Sequence, residues 1–223
     1  FLEEAVESII HQTLKPSEVV IVEDGPLTPE LYQVLEKLEA QSSIPIKRCP
    51  LEQNRGLGLA LQYGVLQCQY DVIARMDTDD IAVEDRFEQQ FELMEKENLD
   101  LLGGHIAEFI DQPDEIVSYR RVPTKHEDII AYQRMRSAFN HMTVMFKKEM
   151  VLKAGNYEDG LYMEDDLLWL NMISAGARTG NVDQILCKVR VGAGMFERRG
   201  GLRYLKLYRQ ARKRMHARGQ ISY

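Results

Sequence analysis

The feature that most constrains this chain is an alternation of short strand-length runs with amphipathic helical stretches. Glu18–Val22 (EVVIV), Ile44–Arg48, Asp71–Met76 (DVIARM) and Leu99–Gly103 are each five or six residues long. The apolar continuity of EVVIV is the pattern of a strand covered on both faces. Before and between these runs, apolar residues recur at helical spacing. Leu2, Ala5, Val6, Ile9 and Ile10 mark a helix over 2–11. Thr28 and Pro29 read as N-cap and first-turn proline of a helix reaching about Gln41, with Leu31, Val34, Leu35 and Leu38 inward. Ala60, Leu61, Val65 and Cys68 mark the next, and Val83, Phe87, Phe91 and Met94 the one after. Repeated β-α units of this kind predict an α/β fold with an open, doubly wound, mostly parallel sheet and helices on both faces. Ligands of such sheets sit outside the carboxyl ends of the strands.

Beyond residue 105 the pattern loosens. Strands are expected at 106–110, 143–146 and 185–191, and helices at 125–136 and 164–175. Residues 1–197 then form one domain, with a half over about 1–104 and a second over 105–197. A basic loop and tail helix occupy 198–223. No run approaches the roughly 20 apolar residues that span a bilayer. Three distant cysteines (Cys49, Cys68, Cys187) give neither a disulfide framework nor a CxxC metal pair, which points to a reducing compartment. The chain opens at Phe1 already inside a helical pattern, so it reads as a fragment trimmed at its front.

The net charge of −7 argues against a general nucleic-acid binder, and it is unevenly spread. From Arg198 onward there are nine Lys or Arg and no acid. The other 19 bases and all 35 acids precede Arg198, a net of −16. Much of the informative acidity lies in turns. Arg75-Met76-Asp77-Thr78-Asp79-Asp80 puts three carboxylates within four residues at a strand end, where they repel unless a cation neutralises them. Hard oxygen donors suit Mg²⁺ or Mn²⁺. A solvated turn with helix capping by Asp79 or Asp80 explains the same residues equally well in isolation. Glu23-Asp24 forms a second acidic turn at the same edge. Between them, Asn54-Arg55-Gly56-Leu57-Gly58 opens a helix, a favourable place for an anion, although it lacks the GxxxxGK[ST] spacing.

In sequence, these pieces resemble a family. Phe1–Thr13, Ile21–Gly25, Asn54–Leu61, Ala74–Asp80 and Tyr162–Leu170 are similar, in this order, to the motifs of the family 2 glycosyltransferases. The resemblance covers almost the whole chain. It implies a GT-A fold, a nucleotide-diphosphate sugar donor (most often a UDP-sugar), a divalent metal and inversion at the anomeric carbon. Position by position it implies Asp24 on the base, Asn54, Arg55 and Arg75 on the nucleotide-sugar side, Asp77 near ribose and sugar, and Asp79 on Mn²⁺ or Mg²⁺. Asp165 becomes the catalytic base, beside Glu164. The acceptor is then a saccharide or a lipid-linked saccharide, in cytoplasmic assembly of surface polysaccharide, at or near the inner face of the membrane. The family's usual first strand precedes Phe1 and is missing from the sequence. A late histidine seen in many relatives is also replaced, by Val189-Arg190-Val191-Gly192.

Several residues keep two readings. His141 lines the acceptor or diphosphate side, or is structural. Trp169 is a sugar-stacking platform or core. Arg198 and Arg199 form a cationic lid or a solvated loop. The helix over 202–218 lies on an anionic membrane surface or packs on the acidic body. The competing functions are a catalytically silent sugar-nucleotide-binding module and a sugar-phosphate nucleotidyltransferase.

Overall fold

A computed structural model describes residues 1–159, 162–192 and 201–222. Helix α1 (Leu2–Ile10) buries Ala5, Val6, Ile9 and Ile10, as its spacing predicts. Strand β1 (Val19–Glu23) leads to α2 (Pro29–Gln41), where the Thr28 hydroxyl accepts the Leu31 N–H at 3.4 Å. Strand β2 (Ile46–Pro50), α3 (Leu57–Gln67) and β3 (Val72–Ala74) follow. Next come a two-residue strand β4 (Ile81–Ala82), α4 (Arg86–Glu97), β5 (Leu101–Phe109) and β6 (Ile116–Arg120). Helix α5 (His126–Gln133), a 3₁₀ turn at His141–Thr143, β7 (Met145–Lys147) and α6 (Lys148–Lys153) complete the middle. The chain then runs through α7 (Glu164–Ser174), β8 (Thr179–Arg190) and α8 (Gly201–Ala217).

The α/β class is as expected, but strand direction differs from the expectation. Among the described residues, only β1–β2 and β5–β8 pair in parallel. The larger sheet runs β3-β7-β5-β8-β4 with β6 on the flank of β5. Its β3–β7, β7–β5, β5–β6 and β8–β4 pairs are all antiparallel. The sheet is therefore mixed rather than mostly parallel. An apolar run shows that a strand is covered on both faces; it carries no sign of direction. The strands expected at 99–103 and 106–110 are one strand, β5, which passes unbroken through Gly103-Gly104. Strand β8 begins at Thr179 rather than at Ile185.

Helix α7 is the hub. Leu167, Leu168, Trp169, Leu170 and Met172 are all buried, as in a helix enclosed on several sides. Leu168, Trp169 and Met172 join Leu101, Phe139, Phe146 and Tyr157 in the main core. Leu167 and Leu170 pack instead on Ala211 and Met215 of α8. The tail helix thus covers the body, the second of the two readings offered for it. No helix of the described residues is long and apolar enough to cross a membrane.

Candidate active site

Three segments make up the site, and their contacts can be followed from one to the next. The first is the turn after β1. Glu23 is buried, and Arg48 grips it with Nε at 2.7 Å and Nη2 at 3.1 Å, which ties β1 to β2. Asp24 is left to face the neighbouring loop. Its carboxylate accepts the N–H groups of Arg55 at 2.7 Å and Gly56 at 3.0 Å, while Asn54 Nδ2 donates to its carbonyl at 3.1 Å. Gly25 has φ 96°, and a Cβ on it would lie 2.8 Å from the Asn54 nitrogen. Turn and loop therefore touch backbone to backbone, and Asp24 fixes the entry to α3.

The second segment is the start of α7. A Cβ on Gly58, in the first turn of α3, would fall 2.2 Å from the Glu158 carbonyl oxygen and 3.2 Å from Glu164 Cβ. The Asn-Arg-Gly loop is thereby set against Glu164-Asp165. Burial, helped by the charge of Asp165, raises Glu164 above the ordinary glutamate value. Asp166 turns elsewhere on the helix. Gln133 Nε2 donates to it at 2.6 Å, and burial followed by the Asp165 charge pushes its carboxyl up to about 7.

The third segment is the acidic turn after β3. Arg75 is buried and holds both oxygens of Asp77, Nη1 reaching Oδ2 at 2.8 Å and Nη2 bonding Oδ1. Burial works against its charge. The nearby charges, Asp77 first and Asp165 among them, outweigh that and keep the guanidinium above its usual value. The charge of Asp165, at the start of α7, is thus felt at Arg75 in the acidic turn. Asp79 is exposed at the turn. Asp80 is buried, accepts the Arg190 N–H at 3.1 Å, and is raised to about 7 by burial and by Asp77. That bond sets the end of β8, and with it Val191-Gly192, beside the acidic turn. Beneath lies Arg86, fully buried, donating from Nη2 to the Arg75 carbonyl at 2.8 Å and from Nε to Gln90 at 2.9 Å. Gln90 in turn donates to the Thr143 carbonyl at 2.8 Å.

This geometry offers a carboxylate beside an anion-facing loop, with a second carboxylate held by an arginine. The same motifs carry the comparison with known proteins. Residues 1–156 match the family described as Glycosyl transferase family 2. The chain belongs to glycosyltransferase family 2. It is 44% identical over 207 residues to an uncharacterized glycosyltransferase of Haemophilus influenzae, a match spanning 92% of this chain and 76% of the relative. It is 41% identical to the amylovoran biosynthesis glycosyltransferase AmsE of Erwinia amylovora, over 92% of this chain and 76% of that one. Identity is 35% over the whole chain, and 80% of the relative, to an Escherichia coli UDP-Gal:alpha-D-GlcNAc-diphosphoundecaprenol beta-1,3-galactosyltransferase. Among solved structures, S. aureus TarS 1–349 with UDP-GlcNAc superposes with a TM-score of 0.71 at 17% identity, over 95% of this chain and 61% of that one. The mannosyltransferase PcManGT of Pyrobaculum calidifontis, with GDP-Man and Mn²⁺, gives 0.65 at 16%, over 86% and 53%. These likenesses show the GT-A fold. This glycosyltransferase spans about half to three fifths of the length of those structures.

Within the glycosyltransferase, the expected residues divide into groups. Asp24, Asn54, Arg55, Arg75, Asp77, Glu164 and Asp165 fall within the three segments above. Trp169 does not: it is fully buried among Phe139, His141, Phe146 and Tyr157, so it is core and no sugar can stack on it. His141 bonds Tyr157 Oη at 2.9 Å, and burial together with Arg75 pushes it well below the ordinary histidine value. Half-buried beside Tyr157 and Trp169, it sits against the aromatic core. Arg198 and Arg199 lie outside the described residues. Arg86 was missed, though Arg86, Gln90 and Met94 recur four residues apart on the buried face of α4. Polar residues at core spacing are the signal that could have found it.

The donor set also bears on Mn²⁺ or Mg²⁺. Among the described residues no cluster of three His, Cys, Asp or Glu is arranged to hold a metal alone. Asp77 is committed to Arg75, and Asp79 is the exposed carboxylate of the turn. Such a set fits a hard cation shared between one protein carboxylate and substrate phosphates.

Proposed function

We propose that this glycosyltransferase moves a sugar from a UDP-sugar, with inversion, to a saccharide or lipid-linked acceptor in the assembly of a bacterial surface polysaccharide. The observation that carries the reading is the close approach of the Asp24 turn and the 54–58 loop to Glu164 at the start of α7, with the charge of Asp165 acting on Arg75, which holds Asp77. Gly58 and Glu164, more than a hundred positions apart in sequence, come into close approach. The UDP-Gal donor of one relative, and the UDP-GlcNAc bound to a structural neighbour, support a UDP-sugar donor.

In this reading Asp24 and the loop 54–56 receive the nucleotide, and Asp77, oriented by Arg75, faces ribose and sugar. Asp165 takes the acceptor hydroxyl's proton as its oxygen attacks the anomeric carbon from the side opposite the diphosphate. The C–O bond to the diphosphate breaks as the new one forms, and the electron pair leaves with the nucleotide. Mn²⁺ or Mg²⁺, when bound, supplies charge neutralisation to that leaving group, and Asp79 is the protein group that would hold it. The outer face of α8 exposes Leu202 and Leu205 among Lys206, Arg209 and Lys213, which supports contact with an anionic membrane surface where lipid-linked acceptors reside. The setting proposed is the cytoplasmic side of that membrane.

The test is nucleotide release by the full chain from a panel of UDP- and GDP-sugars, with Mn²⁺ and with chelator. We expect release from at least one UDP-sugar, suppressed by chelator and lowered at least 100-fold in Asp79→Ala. No release from any donor, or undiminished release in Asp79→Ala, overturns the reading.

A further inference from the structure

Two buried arginines lie at the acidic turn, and they differ in their partners. Arg75 holds Asp77, and the nearby charges keep its guanidinium above the usual value despite burial. Arg86 is fully buried, and its partners among the described residues are neutral. They are the Gln90 amide oxygen at 2.9 Å, the carbonyls of Arg75 and Val144 at 2.8 and 3.4 Å, and the sulfurs of Met76 and Cys187 at 3.1 and 3.6 Å. Burial pushes the Cys187 thiol up to about 11, so it is uncharged at neutral pH. We propose that Arg86 is a positioning residue of the donor site, a fixed charge that offsets the carboxylates of the turn from beneath, favouring the donor's diphosphate there and disfavouring a divalent cation bound without it. The proposal rests on the reading of Asp77–Asp80 as the donor side.

The charge exceeds what the fold asks of this position. Arg86 bonds the Arg75 carbonyl and the Gln90 amide, tasks that a neutral N–H donor performs at a far lower desolvation cost. With no carboxylate in contact, burial pulls the Arg86 guanidinium below its ordinary value, the reverse of Arg75. An arginine keeps its proton all the same. Among the charges around it, Asp80 of the turn is the carboxylate whose field favours the charged guanidinium.

The sign of that charge has a consequence for binding order. Arg75–Asp80 carries one cation and three carboxylates, and Arg86 adds a second cation bonded to the first carbonyl of the segment. Away from water a charge acts strongly over several ångströms. Arg86 therefore lowers the repulsion that Asp77, Asp79 and Asp80 exert on an incoming diphosphate. It also holds down the affinity of the turn for a cation alone, so that cation and diphosphate bind best together.

The test uses the full chain and two probes of opposite charge, UDP measured by calorimetry in chelator and Mn²⁺ alone measured by electron paramagnetic resonance. Arg86→Gln removes the charge and Arg86→Lys keeps it, while both lose the forked donors. Gln90→Glu leaves Arg86 in place and sets a carboxylate against its Nε, which keeps the test open if Arg86→Gln does not fold. We expect Arg86→Gln and Gln90→Glu to bind UDP about fivefold more weakly and Mn²⁺ about threefold more tightly than the parent, and Arg86→Lys to stay within about twofold for both. A purely structural role loosens the site and weakens both probes together. That outcome, or unchanged affinities in Arg86→Gln and Gln90→Glu, overturns the proposal. Absence of UDP binding by the parent chain even with Mn²⁺ is a different failure: it overturns the donor-side reading, and the proposal with it.

Discussion

Gly58 has no room for a side chain, because a Cβ would overlap the Glu158 carbonyl at 2.2 Å. A backbone atom cannot rotate away, so α3 and the start of α7 must separate. Gly58→Ala is expected to cost about 1–3 kcal/mol, as for other overpacked sites, and to lower nucleotide release at least tenfold. Thermal unfolding and a release assay check this, and an unchanged rate contradicts the close approach of loop and base. Asp166 makes a second prediction at this scale. Its carboxyl titrates near 7 in the folded protein, against about 4 in an unfolded chain. Between those values the folded state binds the extra proton, so this group's contribution to stability is lost as pH rises from about 4 to about 7. Asp166→Asn should therefore unfold at a higher temperature than the parent at pH 8, with the difference shrinking towards pH 4.5. Parallel pH profiles for the two proteins would refute the buried, proton-retaining carboxyl.

Helix α4 shows how an element holds the site. Arg86 and Gln90 reach from its inner face to the carbonyls of Arg75 and Thr143, joining the acidic turn to the segment before β7. Arg86→Met leaves the buried Arg75 carbonyl and the Gln90 amide oxygen without the donor that Arg86 gives them. We expect a loss of at least about 2 kcal/mol, or roughly 4–8 °C in Tm for a chain of this size, measured by calorimetry. Helix α8 is held differently. Arg218 pairs with Glu158 at 2.6 and 3.1 Å, but both groups are partly solvated, and such pairs are worth about 0–1 kcal/mol. Met215 is buried against α7, and Met→Ala at such a site costs about 2–5 kcal/mol. Met215→Ala should thus destabilise the protein several-fold more than Arg218→Ala. The reverse order would mean that charge, not apolar contact, attaches the tail. Amphipathic stripes made α1, α2 and α4 legible from sequence, and closely spaced apolar residues did the same for α7. Strands β4 and β6 and helix α6 were not, since two to six residues are too few to show a period.

Across the whole molecule, the lopsided charge resolves into a basic helix packed on an acidic body. The order of the acidic motifs was readable because each sits at an element end marked by its own turn residues. Their meeting was not readable: it depends on Gly58 against Glu158 and Glu164, a close approach across about a hundred positions. Strand direction stayed hidden for a similar reason, because pairing partners lie far apart in sequence. Trp169 was ambiguous since helical spacing alone does not say how many sides of α7 are covered. The proposed chemistry turns on Asp165 as the base at this junction. Its most direct test is steady-state transfer by Asp165→Asn, using the donor and acceptor pair that the parent chain turns over. With Asp165 as the base, kcat falls about 10²–10⁴-fold and donor KM is nearly unchanged. Transfer by Asp165→Asn at the parent's rate would contradict it.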